Sequence, residues 1–547
     1  MIAGVVAAWG RRWPVVAVAV VAVLLAVAGA TGLSRADNGL VRRIVVVDGV
    51  PLHEVRPVNA SGPMPGVVVV HGYASSARLM YPFVDTLARS GYVVVLPDLT
   101  GHAANLRRMS TLDLLQQDLD VALRHLRSLP SVAADRVALL GHSMGAAAVT
   151  RYATEHDGVP ATVAISLRDA TSLPSGAGRP RNLLLLYGAA EFSRFPEAAG
   201  QALRLGYPDG RLAHTYGDPV SGTARRAVAV PGAEHISVLY MTPTHVEAIG
   251  WLDAVLRPGQ ALSNTIDPRR RLVPAALLLL AFALGGYPLA AVLFGRRLRY
   301  AQALPAVRPA AALPAVRPAA FAGGLAAALG LAVALAEVAP TARLPLAVGG
   351  YLAGFFAITG AGLFVVWRLA RRPSNEPPAG SQADSLNGPP AGSQAGPPAE
   401  HRATSHGGRA RLAAATVLFT AYAVAAVAVP LHLGLAHTAP AGPRWWLLAV
   451  VAAANVALLW TAELVSAGRG WRHAAVLAAT VVALLAATVI GLAPGFLLLV
   501  LSLLAVLLAW QAAWAAVLRR QGAPPWAAAV AGGLLVAWPI ATSLPLV

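Results

Sequence analysis

Cysteine is absent from the 547 residues, which excludes a disulfide framework, zinc-finger spacing and a cysteine nucleophile. Lysine is absent too, so all 43 basic residues are arginines. With the abundance of Ala, Gly and Pro, this suggests a GC-rich bacterial genome. Charged residues make up only 12 % of the chain and apolar residues 56 %, whereas soluble domains carry about a quarter charged, so the composition reads as a membrane protein. The net charge of +18 is uneven. Residues 34–260 hold 21 arginines and 19 acids, a balance of +2; the rest holds 22 and 6, a balance of +16. The basic excess thus lies in the apolar part of the chain. Membrane topology explains that placement, and a nucleic-acid partner does not.

An apolar run at residues 14–30 follows Arg11 and Arg12. Residues 1–33 read as a signal anchor, or as a signal peptide cleaved near Ala28-Gly29-Ala30; either one exports the segment C-terminal to it. Residues 34–260 have ordinary charge density and form the exported domain. Beyond it, apolar stretches of bilayer-crossing length recur near 272–294, 319–338, 345–367, 412–431, 445–466, 473–493, 496–518 and 525–545. They make transmembrane helices 2–4 within 261–372 and helices 5–9 within 411–547. Between them, residues 373–410 are rich in Pro, Gly and Ser, with PPAGSQ occurring twice, and read as a disordered cytoplasmic linker. With the N-terminus inside, 17 arginines fall on inner segments and Arg343 and Arg444 alone on short outer loops. That asymmetry puts the soluble domain on the extracytoplasmic side of a bacterial cell membrane. Arg269, Arg270 and Arg271 disagree and read as solvated juxtamembrane charge. The spans hold few ionisable residues, which argues against an ion-coupled transporter.

The exported domain alternates short β-branched runs with amphipathic stretches, the pattern of a parallel sheet covered by helices. Strands are expected at 42–47, 52–58, 66–70, 92–97, 136–141, 161–166, 182–187 and 226–231, and helices at 78–89, 110–128, 144–156, 195–205 and 244–256. Gly141-His142-Ser143-Met144-Gly145 joins the strand RVALL to the helical AAAVTRYA. Gly-x-Ser-x-Gly between strand and helix is a nucleophile elbow: its glycines permit a sharp turn and close backbone approach, and the turn exposes the serine hydroxyl.

With that motif, VVVVHGYASS and GYVVVLPDLTGHAAN, residues 42–257 resemble the α/β-hydrolase family. The resemblance implies a mostly parallel eight-stranded sheet and an oxyanion hole made by the backbone N–H groups of Tyr73 and Met144. It implies structural roles for His71, Asp98 and His102. The family's chain order is serine, acid, histidine. RAVAVPGAEHISVLY places His235 in the loop where the family carries its base, with His214 and His245 as rivals. His142 is expected to point away from the serine into packing. NLLLLYGAAEFSR puts Glu191 at the usual acid position, where Asp is commoner; Asp169 and Asp218 are alternatives. Only 92 residues separate Ser143 from His235, and the connection at 168–181 is too short for a large lid, so an open site is expected. A serine triad needs no cofactor, and no metal-ligand spacing is evident.

The leading expectation is an exported serine hydrolase of the carboxylesterase or lipase type, acting on a small-molecule or lipid ester among membrane lipids. An envelope acyltransferase, a transporter with an accessory hydrolase domain, and a non-catalytic receptor or assembly module are the alternatives.

Overall fold

The computed structural model describes residues 2–59, 62–259, 266–295, 316–370 and 399–547. Its first helix, α1 (Ile2–Asp37), leads within three residues into β1 (Leu40–Val47). Valine-rich runs then build a sheet with β2 (Val50–Pro57), β3 (Met64–Val70), β4 (Val93–Pro97), β5 (Val132–His142), β6 (Ala161–Ile165), β7 (Leu183–Gly188), β8 (Thr215–Tyr216) and β9 (Arg225–Val230). The sheet order is β1-β2-β4-β3-β5-β6-β7-β9-β8. Strands β4 through β9 in that order run parallel, while β1, β2 and β8 pair antiparallel. The sheet therefore has nine strands rather than the expected eight. The extra one, β8, is two residues pairing with Arg225 and Arg226, too short to leave a hydrophobic pattern.

Five helices cover the sheet: α2 (Tyr81–Arg89), α3 (Asp113–Ser128), α4 (Met144–Glu155), α5 (Arg194–Gly206) and α6 (Thr242–Leu256). Each central strand is buried on both faces, which is why it reads as an unbroken apolar run. The loops that leave the carboxyl ends of the parallel strands gather at one edge, where such sheets place their sites.

The rest of the described chain is helical: α7 (Leu272–Leu293), α8 (Pro318–Leu335), α9 (Gly349–Ala370), α10 (Ala399–Gly434), α11 (Arg444–Ser466), α12 (Gly470–Val489), α13 (Leu497–Arg520) and α14 (Pro525–Ser543). Among the described residues, nine helices, α1 included, are long and apolar enough to cross a bilayer. Most of the segment read as a linker lies outside the described residues, but α10 begins at Ala399, inside it. Small residues let α1 lie close on α7: a Cβ on Gly29 or Gly32 would stand 2.7 Å from Leu278 or Pro274. Some of the few ionisable residues near the span ends come together. Glu463 of α11 is buried and bonds Arg519 of α13, with His473 Nδ1 of α12 at 3.2 Å. His473 Nε2 reaches Gln511 at 3.0 Å. Each helix contributes one or two of these residues, so no single stretch of sequence shows the cluster.

The sheet domain sits on one set of helix ends. The carbonyl of Gly101 accepts from Leu546 N at 2.8 Å and from the buried Arg444 at 3.1 Å, and Met109 N donates to Leu546 O at 2.9 Å. Arg78 donates to the His432 carbonyl, and His437 N donates to Ser76 Oγ. These contacts involve the loops after β3 and β4, at the carboxyl edge of the sheet.

Candidate active site

Ser143 lies between β5 and α4 with φ 56° and ψ −115°, a conformation that a residue with a side chain adopts only under constraint. The constraint is close packing. A Cβ on Gly145 would stand 2.4 Å from the carbonyl oxygen of Val70, and one on Gly141 would stand 2.2 Å from that of Gly145. Glycine at 145 lets the turn nest against β3, and glycine at 141 lets the strand end pass the first turn of α4. Ser143 N donates to Ile165 O at 2.8 Å, tying the elbow to β6.

His235 hangs from the loop after β9, and its Nε2 lies 3.1 Å from Ser143 Oγ. The loop is held by its own side chains: Glu234 accepts from the N–H groups of Ile236 and Ser237, and Glu234 N donates to Ser237 Oγ. Glu191 follows the end of β7, with its Oε1 3.3 Å from His235 Nδ1; this is ion-pair range without hydrogen-bond alignment. Gly188 permits that meeting, since a Cβ there would stand 2.4 Å from Ala233 O. The structure thus brings Ser143, His235 and Glu191 into one chain of contacts. It leaves the other two acids outside. Asp169 and Asp218 are exposed and accept from nearby turn N–H groups, which hold both carboxyls below the usual range.

The expected oxyanion residues flank the same corner. Met144 opens α4, where helix N–H groups lack intrahelical partners. Tyr73 follows Gly72, at which a Cβ would stand 3.3 Å from Ser143 Cβ. His71 holds this loop in place: its Nδ1 donates to Gly72 O at 2.8 Å and its Nε2 accepts from Leu99 N at 3.1 Å. Burial pushes the His71 pKa down, in keeping with that neutral tautomer. Asp98 accepts from Ala77 N at 2.9 Å. Burial alone would raise its carboxyl, but the hydrogen bond and charge of His53 hold it well below the usual range. The rival histidines are engaged elsewhere. His245 is buried, stacked on Phe83 and bonded to Leu239 O, and His214 packs on Tyr216.

One residue near the site gave no signal in the sequence, and a second does more than expected. Ser166, at the end of β6, has φ 56° and donates from Oγ to Glu191 Oε1 at 2.5 Å. His142 does more than pack: its Nε2 donates to the His235 carbonyl at 2.9 Å. Burial, then the nearby His235, push the His142 pKa down to about 3, so it stays the neutral prop of that loop.

Other segments approach the site. The Ser166–Asn182 connection adds no lid, but Phe496, just before α13, packs edge-on against Tyr73 at 4.7 Å. Ala74 and Leu106 pack against the core of the long apolar helices. Segments distant in sequence thus wall one side of the catalytic corner.

Sheet order and elbow together give the domain an α/β-hydrolase-like fold. Residues 62–167 match the family described as serine aminopeptidase, S33. Solved structures similar to the chain include a putative dienelactone hydrolase from Klebsiella pneumoniae subsp. pneumoniae, 19% identical, covering 40% of this chain and 99% of that one with a TM-score of 0.32. The dienelactone hydrolase of Anabaena variabilis is 20% identical and covers 40% of this chain and 100% of that one, also with a TM-score of 0.32. No curated protein matches the sequence significantly.

Proposed function

We propose that the chain is a membrane-embedded serine hydrolase that cleaves an ester-type bond through an acyl-enzyme on Ser143. The single observation behind this reading is the contact chain from Ser143 Oγ to His235 Nε2 and from His235 Nδ1 to Glu191. His235 takes the hydroxyl proton as Ser143 Oγ bonds to the acyl carbon. The oxyanion formed is met by the N–H groups of Tyr73 and Met144, and Glu191 stabilises the imidazolium. The C–O bond to the alcohol then breaks, and His235 returns its proton to the leaving oxygen. Water adds to the acyl-enzyme with His235 again as base; the acid departs and Ser143 Oγ regains its proton.

The substrate class we infer is a lipid or another envelope amphiphile. Phe496 against Tyr73 supports this, because a membrane-inserted helix end then stands beside the oxyanion loop. The hydrolase domain would face the extracytoplasmic side, in line with the arginine asymmetry. The same wall favours a second reading, transfer of the acyl group to an alcohol or amine, since it leaves less room for bulk water at the serine.

The test is turnover by the intact protein in lipid nanodiscs, with nitrophenyl esters of increasing acyl length and with and without added alcohol acceptors. A steady state of acylated Ser143, seen by peptide mass, and free acid as product support hydrolysis. Acyl-alcohol as the main product selects the transferase. No acylation by any ester would overturn both.

A further inference from the structure

Away from the catalytic corner, a cavity of about 270 Å³ opens where the hydrolase domain meets the membrane helices. Arg42, Arg43, Arg78 and Arg271 line it together with Tyr81 and Leu433. The guanidiniums of Arg42, Arg78 and Arg271 lie 5.0, 5.9 and 5.3 Å from the centroid of the Tyr81 ring. Three like charges around one ring repel unless anions stand between them.

Two carboxylates do so, but only for two of the arginines. Asp37 and Asp85 each accept from both Arg42 and Arg271, closing a neutral four-membered ring of charges. Arg271, expected to be solvated, is 5 % exposed for this reason. Arg78 has no carboxylate partner among the described residues: it donates to the His432 carbonyl at 2.8 Å, and its Nε is buried without an acceptor. Arg42 Nη1 is likewise buried without an acceptor. Arg43 is exposed at the rim and has no ion pair among the described residues. The remaining lining acid, Glu54, is taken by His125 at 2.7 Å. The cavity therefore holds surplus positive charge and two buried N–H groups without acceptors.

Its depth says which anion. Asp37 ends the first candidate span, Arg271 immediately precedes the second, and Leu433 is one residue from the end of Gly408–Gly434. Three span ends converging on one cavity put it at the level of lipid headgroups. Ile44 and Leu433 add exposed apolar surface at its edge.

We infer that this cavity binds the phosphate of an anionic phospholipid. The phosphodiester oxygens accept from Arg78 and Arg43, beside the buried charge of Arg42, and the acyl chains run beside Leu433 into the bilayer. Planar guanidiniums suit this task, since their N–H groups match phosphate oxygens in pairs. The inference rests on the helices spanning a bilayer and is independent of chemistry at Ser143.

The intact protein, delipidated in detergent, is titrated with phosphatidylglycerol, phosphatidylcholine or inorganic phosphate, and bound lipid is read by native mass spectrometry. The double variant Arg43→Gln, Arg78→Gln leaves the Asp37–Arg42–Asp85–Arg271 ring intact, and its melting temperature reports folding. Arg43→Lys, Arg78→Lys restores charge. Preferential phosphatidylglycerol binding, weakened on the order of tenfold in the Gln variant and partly regained with Lys, supports the inference. Equal binding of both lipids, or undiminished binding by a folded Gln variant, overturns it. Saturation by inorganic phosphate at concentrations that displace phosphatidylglycerol would overturn the lipid assignment and leave a free-phosphate site.

Discussion

At the residue scale, the proposed chemistry rests on three side chains, and two others hold them. Ser143→Ala is expected to abolish ester turnover, and Glu191→Gln to cut kcat about 10³- to 10⁴-fold by spoiling the imidazole tautomer, as measured with a soluble short-chain ester. Ser166→Ala removes a donor to Glu191 and leaves the triad in place. Its kcat should fall about tenfold with KM unchanged, and Ser166→Thr should recover part of the loss. The buried histidines also set an acid limit. The pKa of His245 is pushed down to about 4 and those of His102 and His142 to about 3 by burial, against 6.5 for an unperturbed histidine. Between those values the unfolded chain binds protons that the folded one refuses, so stability falls as pH drops below about 6.5. Each histidine contributes up to about 1.4 kcal/mol per pH unit. Melting temperatures from pH 7 to 5 should decline, and less steeply in His245→Gln. Ser143, His235 and Glu191 were legible because an elbow motif and a chain order carry them. Ser166 was not, because a serine ending a strand looks like any other until β6 and β7 are side by side.

At the scale of elements, the strands were legible because burial on both faces demands unbroken apolar runs. The two-residue β8 was not, because two residues hold no period. The elbow's glycines were legible as a motif, and the structure supplies their reason in the backbone of β3 for Gly145 and of α4 for Gly141. Gly145→Ala would drive a Cβ to within 2.4 Å of Val70 O, with backbone on both sides and no side chain free to yield. The expected cost is about 1–3 kcal/mol, read as a lower melting temperature, together with loss of Ser143 reactivity as the turn opens. The lengths of the long apolar helices were plain from hydropathy, but the Glu463–His473–Arg519 cluster depends on how helices pack, which a single pass along the chain does not reveal.

At the scale of the whole molecule, the absence of an inserted lid suggested an open site. A contact beside the oxyanion loop instead comes from Phe496, hundreds of residues away in sequence. If Phe496 guides an acyl chain, Phe496→Ala should raise KM several-fold for long-chain esters and leave short-chain esters unaffected. Orientation can be read cleanly because the native chain has no cysteine. A cysteine replacing the exposed Asp135 of the hydrolase domain should react with an impermeant maleimide from outside the cell, and one replacing Gln521, between α13 and α14, should not. The central claim is an activated serine in the intact membrane protein. Its most direct test is fluorophosphonate labelling of membranes carrying wild type, Ser143→Ala, Glu191→Gln or His235→Ala. The account predicts labelling of wild type, none in Ser143→Ala, and slower labelling in the other two. A folded wild type that never labels, or labelling that persists in Ser143→Ala, would contradict it.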